Sequence, residues 1–314
     1  MNRRLEPWDL LSRADLDLSR PFSTRYARRR GLDRRQLARL LAAGLLVRPV
    51  HGVYHGAHLS DSLALRIACL RQVVPEDAVV TDRTAGWLHG ARMILAPGSH
   101  LVVPPVQVFQ APGHRLRNGL TDSGERMLRS RDVTEIEGLR VTTPLRTACD
   151  LGRLLHRDSA FAALDSMLGL GAFSSSELVA EVGRFRGYRG VRQLRAFAPL
   201  ADPGSESFGE SVLRLRWYDA GSLPRPRTQI VVVSPRGSFA SLDLGDPELR
   251  YAAEYDGEDF HGPEHREHDV RRRNWLAAEG WTVDVFRRED VFGRAQHAEF
   301  TLLHGVELAR LRAR

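Results

Sequence analysis

The sequence predicts a multidomain chain of the α+β or α/β class. It has an N-terminal winged helix-turn-helix at residues 1–58, a mixed α/β middle domain at 59–198 and a C-terminal domain at 199–314 of order αβββαβα. Three observations carry this reading. Two short helix-period segments flank a Gly31-Leu32 turn and lead into an alternating run ending Gly52-Val53-Tyr54. Helix breakers gather at Pro199, Asp202, Pro203 and Gly204, marking a boundary. Beyond them, helix-period and strand-period segments alternate, with turn residues between.

A chain of 314 residues suits two or three domains, each able to bury a core. The formal charge is +7 and the pI about 10.1, which favours a polyanionic partner such as DNA. All 46 basic residues are arginine. Guanidinium forks suit phosphates, and no lysine is available for catalysis. Cys69 and Cys149 sit in apolar, helix-like contexts, which argues against a disulfide framework and a cysteine-type zinc site. The N-terminus lacks the apolar run of a signal peptide. No stretch approaches the ~20 apolar residues of a membrane span. A cytoplasmic protein without membrane contact is expected.

In the first domain, Phe22 to Arg30 forms one predicted helix, and Asp33 is placed to cap a second, Arg34 to Ala43. Leu37, Leu40 and Leu41 recur at helical spacing, and Gly44 suits the C-terminal cap. Leu45 to Tyr54 alternates like a hairpin wing. Arg34, Arg35 and Arg39 fall on the exposed face of the second helix, where a recognition helix meets the major groove. A solvated basic face or a protein-binding module is the alternative. The pattern Gly31, Leu32, Arg34, Leu37, Leu40, Gly44, Leu46, Arg48, Gly52, Val53, Tyr54 resembles the N-terminal domain of AbiEi-family antitoxins. That resemblance implies DNA binding, autoregulation and a cognate toxin as partner.

The middle domain opens with an amphipathic helix, Leu63 to Val74. Ala78 to Gly90 resembles the segment after the winged helix in the same proteins, with Asp82 where histidine is common. Gly138 to Asp150 reads as a strand and then a helix opened by Pro144 with Thr143 as cap. Arg146 and Asp150 fall one turn apart and can pair. With no metal-ligand or nucleophile spacing, this region reads as scaffold.

In the C-terminal domain, a helix from Ser205 to Ala220 places Glu206, Glu210 and Arg214 on one stripe. Strands follow at Thr228–Val233, around Asp243, and around Glu254 and Asp256, which share one strand face. A charged helix, Glu264 to Glu279, is ended by Gly280, then a strand spans Trp281–Phe286 and a last helix Ala295–Arg312. Clustered carboxylates repel unless a cation joins them. Oxygen-only donors suit Mg²⁺ or Mn²⁺. The alternative is an ion-pair network of Asp243, Glu254 and Asp256 with Arg272 and Arg214. His261, His265 and His268 offer a weaker zinc-like spacing.

Glu210-Ser-Val-Leu-Arg214, Ser222-Leu-Pro224 with Gln229, Asp243-Leu244, Glu254-Tyr-Asp-Gly257 with His261, then Asp269, Arg272, Leu276, Gly280, Trp281 and Val283 resemble the PD-(D/E)XK nucleases. The branch is that of the very-short-patch-repair (Vsr) endonucleases. This resemblance implies a restriction-endonuclease-like fold and a Mg²⁺- or Mn²⁺-dependent DNA endonuclease. Its metal ligands would be Asp243, Glu254 and Asp256, with Glu210 as the helical acid, His261 as acid, base or phosphate donor, and Arg272 on a phosphate. Asp256 stands where that superfamily carries its lysine. A non-catalytic antitoxin-like regulator, using the same domain for binding, is the competing expectation.

Overall fold

The computed structural model describes residues 6–94, 106–110, 121–234, 239–257, 263–293 and 296–313. His261 lies outside them, as do the side chains of His265, His268 and Asp269. The described residues up to Asp150 form one compact unit, and those from Leu151 onward form a second, to which Arg92–Ile94 also belong.

The first unit begins with α1 (Pro7–Ala14), β1 (Phe22–Ser23), α2 (Thr24–Arg29), α3 (Arg34–Ala42), β2 (Leu46–Val50) and β3 (Val53–Gly56). The strands form a sheet of order β1-β3-β2. Caps set the helix limits. Ser23 accepts from the Tyr26 amide at 3.2 Å and opens α2. Asp33 accepts from the Gln36 amide at 2.8 Å while Gln36 accepts from the Asp33 amide at 2.7 Å, closing a capping box on α3. Gly44 takes φ +68°, a left-handed conformation that a Cβ would strain, and ends the helix. Leu10, Phe22, Leu37, Leu40, Leu46 and Tyr54 bury the inner faces together.

The same unit continues through α4 (Leu63–Leu70), β4 (Val79–Val80), α5 (Asp82–His89), β5 (Val106–Gln110), β6 (Thr121–Glu125), β7 (Val133–Ile136), β8 (Leu139–Thr142) and most of α6 (Pro144–Leu154). The five strands run in the order β6-β5-β4-β8-β7. Ile67, Leu70, Val80, Leu88, Val108 and Val141 form its core. A buried ion network crosses it. Arg126 donates to Asp82 at 2.9 and 3.0 Å and to Asp150 at 2.7 Å. Arg146 donates to Asp150 at 2.8 Å, the pairing expected one helical turn apart, and to Asp132 at 2.9 Å. Asp82 therefore has a structural partner at the position where histidine is common.

The second unit carries α7 (Arg157–Leu168), α8 (Ser175–Glu181), α9 (Val191–Phe197), α10 (Phe208–Asp219), β9 (Arg227–Val233), β10 (Phe239–Asp246), β11 (Tyr251–Tyr255), α11 (Pro263–Ala278), β12 (Thr282–Phe286), α12 (Arg288–Val291) and α13 (Ala298–Arg312). The strands run β12-β11-β10-β9, antiparallel except for β12, which lies parallel to β11. The expected helix–strand order is present, with the short α12 added. The helices between Arg157 and Phe197 share this unit with the sheet, so the division of contacts falls at Asp150 and not at the breakers near Pro199.

The reason is Arg214. It is fully buried on α10 and donates to both oxygens of Asp165 on α7, at 2.5 and 2.6 Å, and to the Leu200 carbonyl at 2.6 Å. Its guanidinium lies 4.6 Å from the Phe161 ring centroid. A charge withdrawn from water this fully needs a dedicated counter-charge, and among the described residues Asp165 of α7 supplies it. The expected membership of Arg214 in the Asp243 network is therefore corrected. No helix among the described residues is long and apolar enough to cross a membrane.

Candidate functional site

Two places combine functional side chains. On the winged helix, Leu37 and Leu40 face the core, which turns Arg34 and Arg35 outward and leaves Arg39 half-buried. The helical period thus sorts α3 into an apolar and a basic side. A groove of about 740 Å³ runs between α2, α3 and the wing. Arg25, Arg28 and Arg29 from α2, Arg34 from α3, and Arg48 and His51 from the wing line it. No carboxylate stands among its described lining residues. The three α2 arginines were not singled out from the sequence. Their signal was available: Thr24-Arg-Tyr-Ala-Arg-Arg29 buries Ala27 and leaves Arg25, Arg28 and Arg29 exposed. By contrast, the adjacent Arg30 is tied to Asp15 at 3.3 Å.

The second place is a cavity of about 240 Å³ at the end of the C-terminal sheet, lined by Ser241, Asp243, Glu254, Tyr255, Asp256, Arg272, Arg273 and Val285. The antiparallel register pairs Leu244 with Ala253, which sets Asp243 opposite Glu254. Asp243 Oδ2 accepts from the Tyr255 amide at 2.8 Å. Glu210, at the start of α10, accepts from the Glu206 amide at 2.8 Å and from Gln229 Nε2 at 3.2 Å. Gln229 adopts φ +48° inside β9, an uncommon conformation for a side-chain-bearing residue. It also accepts from Ser241 Oγ at 2.8 Å, so the strained residue ties α10 to β10.

Glu254 is engaged by Arg272: Nη1 donates to Oε2 at 2.9 Å and Nη2 donates to Oε1. Arg272 Nη2 also reaches the Ser241 carbonyl at 2.7 Å. Of the two partners the sequence allowed Arg272, a phosphate or a carboxylate, it is held by a carboxylate here. The donor set as arranged does not fit a divalent metal. Both Glu254 oxygens are committed to a guanidinium, and no group of three or more metal-ligating side chains with suitable geometry occurs among the described residues.

Burial, first of all, pushes the Asp243 carboxyl up to about 7, and the charges of Glu210 and Glu254 add to it. The Tyr255 amide and Arg272 pull the other way. Burial also raises Glu210. The folded protein therefore holds a proton on Asp243 that the unfolded chain releases, so stability falls as pH rises from the ordinary aspartate range toward 7. Asp243→Asn is expected to be more stable than the parent at pH 8, by about 2 kcal/mol. That advantage is much smaller at pH 5 and vanishes only below the ordinary aspartate range, where the carboxyl is neutral in the folded and the unfolded chain alike. Urea unfolding at the two pH values measures the difference, and a pH-independent gap would refute the assignment.

Comparison with known proteins adds a family. Residues 9–54 match the profile described as transcriptional regulator, AbiEi antitoxin. Residues 77–200 match that of the AbiEi antitoxin C-terminal domain. The uncharacterized protein Rv2248 of Mycobacterium tuberculosis strain H37Rv is 33% identical over 264 residues, spanning 82% of this chain and 93% of that protein. The uncharacterized protein MT2308 of strain CDC 1551 gives the same values. The chain belongs to one family with these mycobacterial proteins and carries both the N-terminal and the C-terminal AbiEi antitoxin domains.

Proposed function

We propose that the protein is a DNA-binding transcriptional regulator of the antitoxin type, acting on duplex DNA through its winged helix and paired with a cognate toxin. The observation that carries this reading is the groove in which five arginines from three elements converge without a carboxylate. Such a surface neutralises consecutive phosphates, whereas a merely solvated face mixes both signs. Arg35 and Arg39 lie outside the groove on α3, the position from which base edges are read. The family match supports a toxin partner, and the AbiEi C-terminal domain is the candidate for holding it.

Fluorescence anisotropy with the DNA upstream of the protein's own gene, against an unrelated duplex, tests the reading. The parent is expected to prefer its own upstream DNA. Arg35→Ala with Arg39→Ala removes that preference while weak general binding survives, because base contacts specify and phosphate contacts position. Equal affinity of parent and double variant for both duplexes would refute the assignment of α3. The nuclease resemblance implies cleavage, and the same DNA incubated with Mg²⁺ reads it: cuts that vanish in Asp243→Ala would replace the regulator reading by the endonuclease one.

A further inference from the structure

The carboxylate cavity of the second unit already contains a cation, and it belongs to the chain. We propose that the Arg272 guanidinium occupies the position from which a divalent metal would neutralise Asp243 and Glu254, so that the resting protein excludes Mg²⁺ and Mn²⁺ from this site.

Four observations carry the proposal. Arg272 meets Glu254 as a fork, one nitrogen to each carboxylate oxygen, which leaves neither oxygen uncommitted. That planar, two-bonded match is the strongest form of carboxylate–guanidinium contact. The Ser241 carbonyl holds the same guanidinium from the neighbouring strand β10 at 2.7 Å, so α11 is tied to two strands at once. Asp243 Oδ2 is spent on the Tyr255 amide, which narrows what it can offer a metal. Lastly, the lining sets Arg272 and Arg273 against Asp243, Glu254 and Asp256, so most of the negative charge has an internal counterpart. A divalent ion placed between Asp243 and Glu254 would lie beside a fixed positive charge and would have to break the fork to gain its second ligand.

The position in the sequence explains how the arrangement is reached. Arg272 lies on the helix that follows β11, two turns from where α11 begins, and α11 returns over the sheet to lay Leu276 and Trp275 on Ala252 and its neighbours. Packing of those apolar residues brings Arg272 over Glu254. The proposal stands whether or not the winged helix binds DNA, since it concerns only the second unit's own residues.

Binding of Mn²⁺ to the full-length protein, read by titration calorimetry and by loss of the free Mn²⁺ paramagnetic resonance signal, tests it. The parent and Asp243→Asn are expected to take up Mn²⁺ indistinguishably. Arg272→Gln is expected to gain one site at least tenfold tighter than any in the parent, and Arg272→Gln with Asp243→Asn to lose it. Mn²⁺ uptake by the parent that Asp243→Asn abolishes would overturn the proposal. So would a folded Arg272→Gln, judged by circular dichroism, that gains no site. The comparison of parent with Asp243→Asn decides the question even if Arg272→Gln does not fold.

Discussion

Asp165→Ala is expected to lower the stability of the second unit by about 3–5 kcal/mol. The residue is fully buried, and its charged partner among the described residues is Arg214, equally buried. Removing the carboxylate leaves a guanidinium sealed in the interior beside Phe161, where water cannot reach it. It also orphans the Asp202 amide, which donates to Asp165 Oδ1 at 2.9 Å and fixes the turn ahead of α10. Arg214→Ala is expected to be comparably harmful. Replacing both, Asp165→Leu with Arg214→Met, recovers much of the loss, because two apolar groups need no counter-charge. Urea unfolding of the full chain followed by circular dichroism measures all three, and a single-variant loss below about 1 kcal/mol would contradict the role given to this pair.

Replacing Arg25, Arg28 and Arg29 together by alanine is expected to weaken binding to any duplex by roughly two orders of magnitude at low salt. These residues lie on α2, flanking the helix proposed to read bases, so the loss falls equally on preferred and unrelated DNA. The dependence of affinity on salt also becomes shallower, by about 0.9 in the logarithmic slope for each phosphate contact removed. Anisotropy titrations at several salt concentrations separate this from a folding defect, which would leave the slope of the surviving protein unchanged. The substitutions touch exposed positions, while Ala27, the buried face of the same helix, is retained.

Within the winged helix α3 was legible because its boundaries are written in residues with local mechanisms, whereas the helix expected from Phe22 begins at Thr24, since Phe22 and Ser23 pair with β3 instead. Asp33 and Gly44 bracket α3, and both perform the capping expected of them. The C-terminal meander was legible for a similar reason: Asp246-Pro247 and Gly280 punctuate segments of clear period. The five-stranded sheet was much harder to read. Its β5 and β6 pair in parallel although the turn dipeptides Pro112-Gly113 and Asn118-Gly119 lie between them in sequence and suggest a hairpin, and β4 has only two residues. Long-range charge pairing was the other blind spot. Helical spacing placed Glu206, Glu210 and Arg214 on one stripe, yet Arg214 turned to Asp165, 49 positions earlier. A hint was present in α7, where one aspartate interrupts the apolar run Phe161-Ala-Ala-Leu-Asp-Ser-Met-Leu168, since a buried acid demands a partner from elsewhere. At the sheet end, the Glu254–Arg272 pairing was among the readings the residues allowed, and no sequence pattern distinguishes a guanidinium placed on a carboxylate from one placed on a phosphate.

The bond between Asp165 and Arg214 also bears on modularity. The AbiEi C-terminal match stops at residue 200, and a cut there follows the limit of the family profile. Such a fragment would keep Asp165 and lose both Arg214 and the helix that seals it. A cut at that point leaves a half-built interior, so the helices from Arg157 to Phe197 need α10 from beyond the match to close their core.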